Sequence, residues 1–222
     1  ATRDVLRWRS GTTAKAADWV ACEEPLEIRV KGEAVAITMR TPGHDEELAL
    51  GFLLSEGVIT GRGDVLEVAH CQQGESALHG NVLNVFLSPR VEFDLEKLKR
   101  NVYASSSCGL CGKASIESVR NLFEPLTKRD RLIEAEKIIK MPGQMREVQQ
   151  TFEKTGGLHA ASLFDAAGNV LMLREDVGRH NAVDKVLGRA LVDDHLPLEE
   201  CVLMVSGRAS FEIRQKALAG HV

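Results

Sequence analysis

The sequence predicts an α/β protein in two parts: a small α+β N-terminal subdomain over residues 1–100 and a three-layer α/β domain over residues 101–222. Three observations predict it. Residues 26–31 alternate strictly, with Leu26, Ile28 and Val30 against Glu27, Arg29 and Lys31, the mark of a half-buried strand. After residue 104 the pattern changes to a serine run and a Cys-x-x-Cys loop. From Gly156 onward, short apolar runs alternate with segments of helical spacing, as in a layered α/β domain.

Each element follows in order. Gly32-Glu33 turns the chain, and Val35, Ile37 and Met39 continue the alternation, so a hairpin is expected. Thr41-Pro42-Gly43 ends it. Asp45, Glu46 and Glu47 precede the apolar stretch Leu48 to Leu54, with Gly57 beyond; acids first and glycine last are helix boundary signals. Strands are expected at 65–70 and 82–87, and a short charged helix over Asp94 to Arg100. Ile116, Val119 and Phe123 space a helix after the cysteine loop. Met145, Val148 and Phe152 space another, closed by Gly156-Gly157. Leu158–Phe164 and Val170–Leu173 read as strands, Ala182 to Ala190 as a helix, Cys201–Val205 as a strand and Phe211–Leu218 as a last helix. Three strands are few for a doubly covered sheet, so the domain is expected to be C-terminally incomplete in this sequence.

Composition narrows the function. With 44% hydrophobic and 27% charged residues in 222, the chain has an ordinary globular balance. A net charge of −4 argues against a broad nucleic-acid surface but leaves room for a local basic pocket. Five cysteines with one close pair do not make a secreted disulfide framework. No apolar run approaches the roughly 20 residues of a membrane span, and the first residues lack a signal-peptide core. A cytoplasmic protein acting without nucleic acid or membrane is expected.

The close pair is Cys108 and Cys111, in Ser105-Ser-Ser-Cys-Gly-Leu-Cys-Gly-Lys113. Cys-x-x-Cys serves redox exchange, zinc binding or sulfur relay. Gly109 and Gly112 let the backbone bend, and a helix start with Lys113 nearby favours a thiolate, the form that attacks sulfane sulfur. Zinc needs about four ligands, and Cys22, Cys71 and Cys201 are isolated, so no metal is expected. Zinc deaminases also place Cys-x-x-Cys at a helix start, but with a preceding Pro and an upstream His-x-Glu. Ser107 stands in place of the proline, and no His-x-Glu is expected. Buried structural thiols fit poorly with a loop of glycine and serine. Cys201, in an apolar strand, is expected in the core.

Two other segments carry anion-binding chemistry. Ser206-Gly207-Arg208-Ala209-Ser210 lies between a strand and a helix, where free amides, hydroxyls and arginine suit a phosphate; such turns are also common plain connections. Glu175 to Lys185 is the densest polar run before a helix, and an acidic cap alone does not account for Arg179, His180 and Asn181 together. His180 suits anion binding or proton movement, as does His159 behind Gly156-Gly157, although a lone histidine is more often structural.

Taken in order, Glu24–Val30, Met39–Gly43, Asp45–Gly57, Ser105–Lys113, Gly156–Leu163, Arg174–Lys185 and Ser206–Lys216 resemble the formate dehydrogenase accessory sulfurtransferase family, FdhD. The resemblance implies a cytidine-deaminase-like fold without zinc in the larger domain, and commonly a homodimer. It implies that sulfur is taken from a cysteine desulfurase and passed to the molybdenum bis-(molybdopterin guanine dinucleotide) cofactor of formate dehydrogenase. By position, Cys108 is the persulfide carrier and Cys111 its partner, while Arg179, His180, Ser206, Gly207 and Arg208 fall in segments suited to face the cofactor. The resemblance also implies further residues beyond Val222, including strands and a cofactor-binding stretch. A dithiol oxidoreductase and a non-catalytic cofactor chaperone are the competing readings.

Overall fold

The structure, a computed structural model, describes residues 1–72, 80–95, 98 and 133–222. Strands β1 (Thr2–Arg9) and β2 (Thr12–Trp19) form a hairpin through Ser10-Gly11, whose positive φ values of 49° and 83° suit a tight two-residue turn. This hairpin is absent from the sequence expectation, because charged residues interrupt its apolar positions. Strands β3 (Glu24–Val30), β4 (Glu33–Arg40), β5 (Val65–His70) and β6 (Val82–Leu87) make a second sheet in the order β4-β3-β6-β5. Helix α1 (Asp45–Ser55) leaves β4.

The β3–β4 hairpin turns at Lys31-Gly32, one residue earlier than expected. The pairing also slips: Ile28 faces Ala36 whereas Arg29 faces Ala34, so Val35 is an extra residue in the ladder. A one-residue bulge reverses every side chain beyond it. Ile37 and Met39, expected inside with Val35, are 62% and 47% exposed. Thr38 and Arg40 turn inward instead, and both matter below.

Helix α2 (Ala135–Val148) runs through Pro142, and α3 (Gln150–Thr155) follows after a break at Gln149. The sequence suggests one helix carrying Met145, Val148 and Phe152. Two form because Glu175 accepts from the Thr151 and Phe152 amides, at 2.9 and 2.7 Å, and so caps a new helix start. Gly156 closes α3 in the left-handed region, as its position suggests. Of the short helix expected at 94–100, Leu95 and Leu98 are described and helical.

Strands β7 (His159–Phe164), β8 (Val170–Asp176) and β9 (Val202–Val205) form a third sheet, with β7 central and antiparallel to both neighbours. Helix α4 (Arg179–Val192) lies between β8 and β9 in sequence, and α5 (Phe211–Ala219) follows β9. Ala160 and Phe164 on one face of β7 pack with Met141 and Met145 of α2. Ala161 and Leu163 on the other face join the main core with Ala182, Val183, Val186 and Leu187 of α4. The fold is thus α/β, with helices on both faces of this sheet. Cys201 lies just before β9 and is half-buried, and burial pushes its thiol pKa up.

The main core is continuous across residue 100, because α1 lies directly against α4. Two glycines permit it: a Cβ on Gly51 would sit 1.8 Å from the Asp184 carbonyl oxygen, and one on Gly188 would sit 1.8 Å from that of Glu47. The two helix backbones therefore touch, as only glycine allows. No described helix is long and apolar enough to cross a membrane.

Candidate anion site

Buried charges join the two halves of the fold at the α1–α4 seam. Arg40, turned inward by the bulge, holds Asp45 through two hydrogen bonds at 3.0 and 2.9 Å. Asp176, 0% exposed, accepts from Lys185 Nζ at 2.7 Å, the Thr41 amide at 3.1 Å, the Gly178 amide at 2.8 Å and Asn181 Nδ2 at 2.9 Å. Asn181 also donates to the Met39 carbonyl at 2.8 Å and accepts from Thr38. These bonds fix the turn Val177-Gly178 and hence the start of α4. A carboxylate taken from water this completely is tolerated because all its bonds are met.

With that turn fixed, α4 presents Arg179 and His180 in its first turn. Opposite stands the β9–α5 turn. Ser206 is pinned to the end of β7: its amide donates to the Ala160 carbonyl at 2.9 Å, and its hydroxyl accepts from the Ala160 amide at 2.9 Å. The same hydroxyl lies 3.5 Å from His159 Nδ1. Gly207 fills the gap between them; a Cβ there would lie 3.5 Å from Arg179 Cδ and 3.6 Å from His159 Nδ1. Four of the five residues expected to face a cofactor, Arg179, His180, Ser206 and Gly207, therefore meet at one place, with His159 beside them. Arg208 is on the same turn and is exposed.

The cluster leaves polar atoms unmatched. Arg179 Nε and His180 Nε2 are enclosed by protein and have no hydrogen-bond partner among the described residues, whereas the Ser210 side chain is hydrogen-bonded to Glu212. Buried polar atoms without partners are uncommon and mark places where a further group belongs. The starts of α4 and α5 both lie here, and neither has a side-chain cap. Backbone amides, a guanidinium and an imidazole converging in this way suit a phosphate or another compact anion. Burial, followed by the charges of Lys216 and Arg179, pushes the His180 pKa down to about 4.

Lys216, Asp184 and Ser55 escaped the sequence reading. Lys216 Nζ donates to both Asp184 oxygens, at 2.7 and 2.8 Å, and to Ser55 Oγ at 2.8 Å, and its charge acts on the His180 ring. A signal existed: Asp184-Lys185 sits within the apolar stretch of α4, where a charge needs a buried partner. The Cys108–Cys111 loop, and the helix expected after it, lie outside the described residues.

One His-x-Glu triplet, counter to expectation, does occur: His44-Asp45-Glu46. His44 caps the start of α1 in the left-handed region, with Nδ1 3.4 Å from Glu47 Oε2, while Glu46 is exposed. Asp45 and Glu47 between and beside them are committed to Arg40 and Arg174. Burial pushes the His44 pKa down.

Comparison with known proteins completes the identification. The family model described as FdhD/NarQ family matches residues 21–222. The chain is 47% identical over 224 residues to the "Sulfur carrier protein FdhD" of Streptomyces coelicolor, covering 99% of this chain and 79% of that one. It is 50% identical over 227 residues to the protein of the same name from Mycolicibacterium paratuberculosis, covering 99% and 82%. A crystal structure from Desulfotalea psychrophila, assigned to formate dehydrogenase accessory proteins, superposes with a TM-score of 0.74 at 23% identity, covering 100% of this chain and 81% of that one. That likeness supports the fold. With a family model spanning the chain from residue 21 and curated relatives near half identity, this chain belongs to the FdhD/NarQ family.

Proposed function

We propose that this protein is a cytoplasmic sulfur carrier. It takes persulfide sulfur from a cysteine desulfurase and passes it to the molybdenum bis-(molybdopterin guanine dinucleotide) acceptor of formate dehydrogenase. The name shared by the relatives supports the carrier role. The observation that carries the acceptor side is the meeting of Arg179, His180, Ser206 and Gly207 around buried atoms without partners. A guanine dinucleotide brings phosphates, and this cluster offers a guanidinium, an imidazole and two helix starts to them.

Cys108 is the proposed carrier and Cys111 its partner. The Cys108 thiolate attacks the terminal sulfur of the donor persulfide, the donor S–S bond breaks, and the donor cysteine leaves as a thiolate. Cys108 then holds the sulfur as a persulfide until the acceptor is bound at the anion cluster. The homodimer implied by the resemblance belongs to the same reading.

The test is intact mass after incubation with a cysteine desulfurase and cysteine. A dithiothreitol-reversible gain of one sulfur in the parent, absent in Cys108→Ala, is expected. If the variant gains sulfur equally, Cys108 is not the carrier. If formate dehydrogenase is activated normally without both cysteines, the protein only chaperones the cofactor.

A further inference from the structure

The anion cluster contains a proton-binding group whose charge its surroundings decide. His180 Nε2 is enclosed and unpartnered. The groups acting on the ring come from every side: Arg179 from its own helix, Lys216 and Glu212 from α5, and His159 from β7. Asp184 and Ser55 hold the Lys216 ammonium in place. Burial first, and then these mainly cationic surroundings, keep the imidazole neutral. Glu212 opposes that balance, and Asp184 offsets part of the Lys216 charge.

An anion seated against Arg179 and the two helix starts changes the balance. An opposite charge within about 4–6 Å favours the protonated ring. A protonated Nε2, which has no partner among the described residues, also gains an acceptor for its N–H. The two effects act in the same direction. We propose that this site takes up its anionic ligand together with a proton on His180, with Lys216, held by Asp184 and Ser55, as the positioning residue that keeps the ring neutral until the ligand arrives. The proposal rests on the reading of the cluster as an anion site.

The sign follows from linkage. Between the free and bound midpoints of His180 the bound protein carries up to one proton more than the free protein, most midway between them. Affinity through this group therefore rises as pH falls through that window. A rival use of the same geometry is distinct. In it, neutral His180 already carries its proton on Nε2 and donates to the anion without taking up another.

The deciding experiment is a pH titration of the histidine ring resonances in the full chain, free and saturated with GDP, with His180 assigned by its loss in His180→Gln. GDP supplies the nucleotide phosphates. In the free protein the His180 signal should stay at its neutral position down to about pH 5. With GDP its midpoint should move up by about two pH units, within the range that an adjacent opposite charge produces. Calorimetry at pH 6 in two buffers of different ionisation heat should show proton uptake in the parent, and less uptake in His180→Gln. GDP binding with an unmoved His180 midpoint would overturn the proton coupling and leave the anion site standing. If neither GDP nor sulfate perturbs His159, Arg179 or His180 signals, the anion reading falls and takes the proposal with it.

Discussion

Two clusters of polar side chains flank the start of helix α4, and they obey opposite rules. On the α1 side, Asp176, Lys185, Asn181, Arg40 and Asp45 are buried, and their charges are matched by bonds within the fold. On the α5 side, Arg179 and His180 also bury polar atoms, and these have no partner among the described residues. Both clusters lie within a few residues of Gly178. The first resembles a structural joint, in which desolvation is offset by dense bonding. The second leaves buried polar atoms of Arg179 and His180 without a partner among the described residues. Burial alone does not separate structure from function here; the state of the hydrogen bonds does.

The joint should break most severely. Asp176→Ala removes the partner of a lysine whose side chain is 1% exposed. It also frees the Thr41 and Gly178 amides. An uncompensated buried charge costs roughly 3–5 kcal/mol. Chemical denaturation should show an unfolding free energy lowered by that amount, with GDP binding lost alongside because the α4 start is no longer fixed. A loss of binding without a loss of stability would place Asp176 in the second cluster.

Gly188→Ala tests the helix contact beneath the joint. Its Cβ would meet the Glu47 carbonyl at 1.8 Å, so α1 and α4 must separate. Overpacking of this kind typically costs about 1–3 kcal/mol. Gly143→Ala in α2 is the matched control. No atom lies within 4 Å of its Cβ position, and helical alanine should gain about 0.5–1 kcal/mol over glycine. Equal effects in the two variants would refute the close backbone approach.

The second cluster should show itself through pH. Burial, followed by the charges of Lys216 and Arg179, pushes His180 in the folded chain down to about 4, against an ordinary 6.5 when unfolded. Between those values the unfolded chain binds more protons, so stability rises with pH across the window and is lost as pH falls through it. After allowance for partial solvent screening, the contribution is on the order of 1 kcal/mol. Thermal unfolding between pH 4.5 and 7 should follow this slope, and His180→Gln should flatten it. GDP should flatten it as well, because the bound site accepts the proton.

The sequence made most strands legible, and also the segments whose Arg179, His180, Ser206 and Gly207 the fold brings together, for physical reasons. Leu26, Ile28 and Val30 alternate because one sheet face is buried, and Arg179-His180 and Ser206-Gly207 stand out because polar residues crowd just before helices. What escaped was relational. The bulge at Val35 reverses the faces of Ile37 and Met39, and no local pattern announces it. The division of α2 from α3 depends on Glu175, more than twenty residues away in the chain. Lys216 gains its role from Asp184 and Ser55, which lie on two other helices. Alternation and spacing report what a residue does within its own element, whereas these features are set between elements.

The gentlest test lies at Gly207, where the second cluster is narrowest. Its backbone φ is not in the left-handed region, and an added methyl would meet Arg179 and His159 at 3.5–3.6 Å, ordinary contact distances. Gly207→Ala should therefore leave stability within about 0.5 kcal/mol of the parent, as expected of a substitution without strain. The methyl would nonetheless occupy space between two side chains that must both reach the anion. GDP affinity should fall a few-fold while desulfurase-dependent loading of Cys108 is unchanged, and calorimetry beside intact mass reads both. Had Gly207 belonged to the joint, stability and affinity would fall together. A fall in affinity alone places the turn in the group of residues whose remaining partner is the ligand.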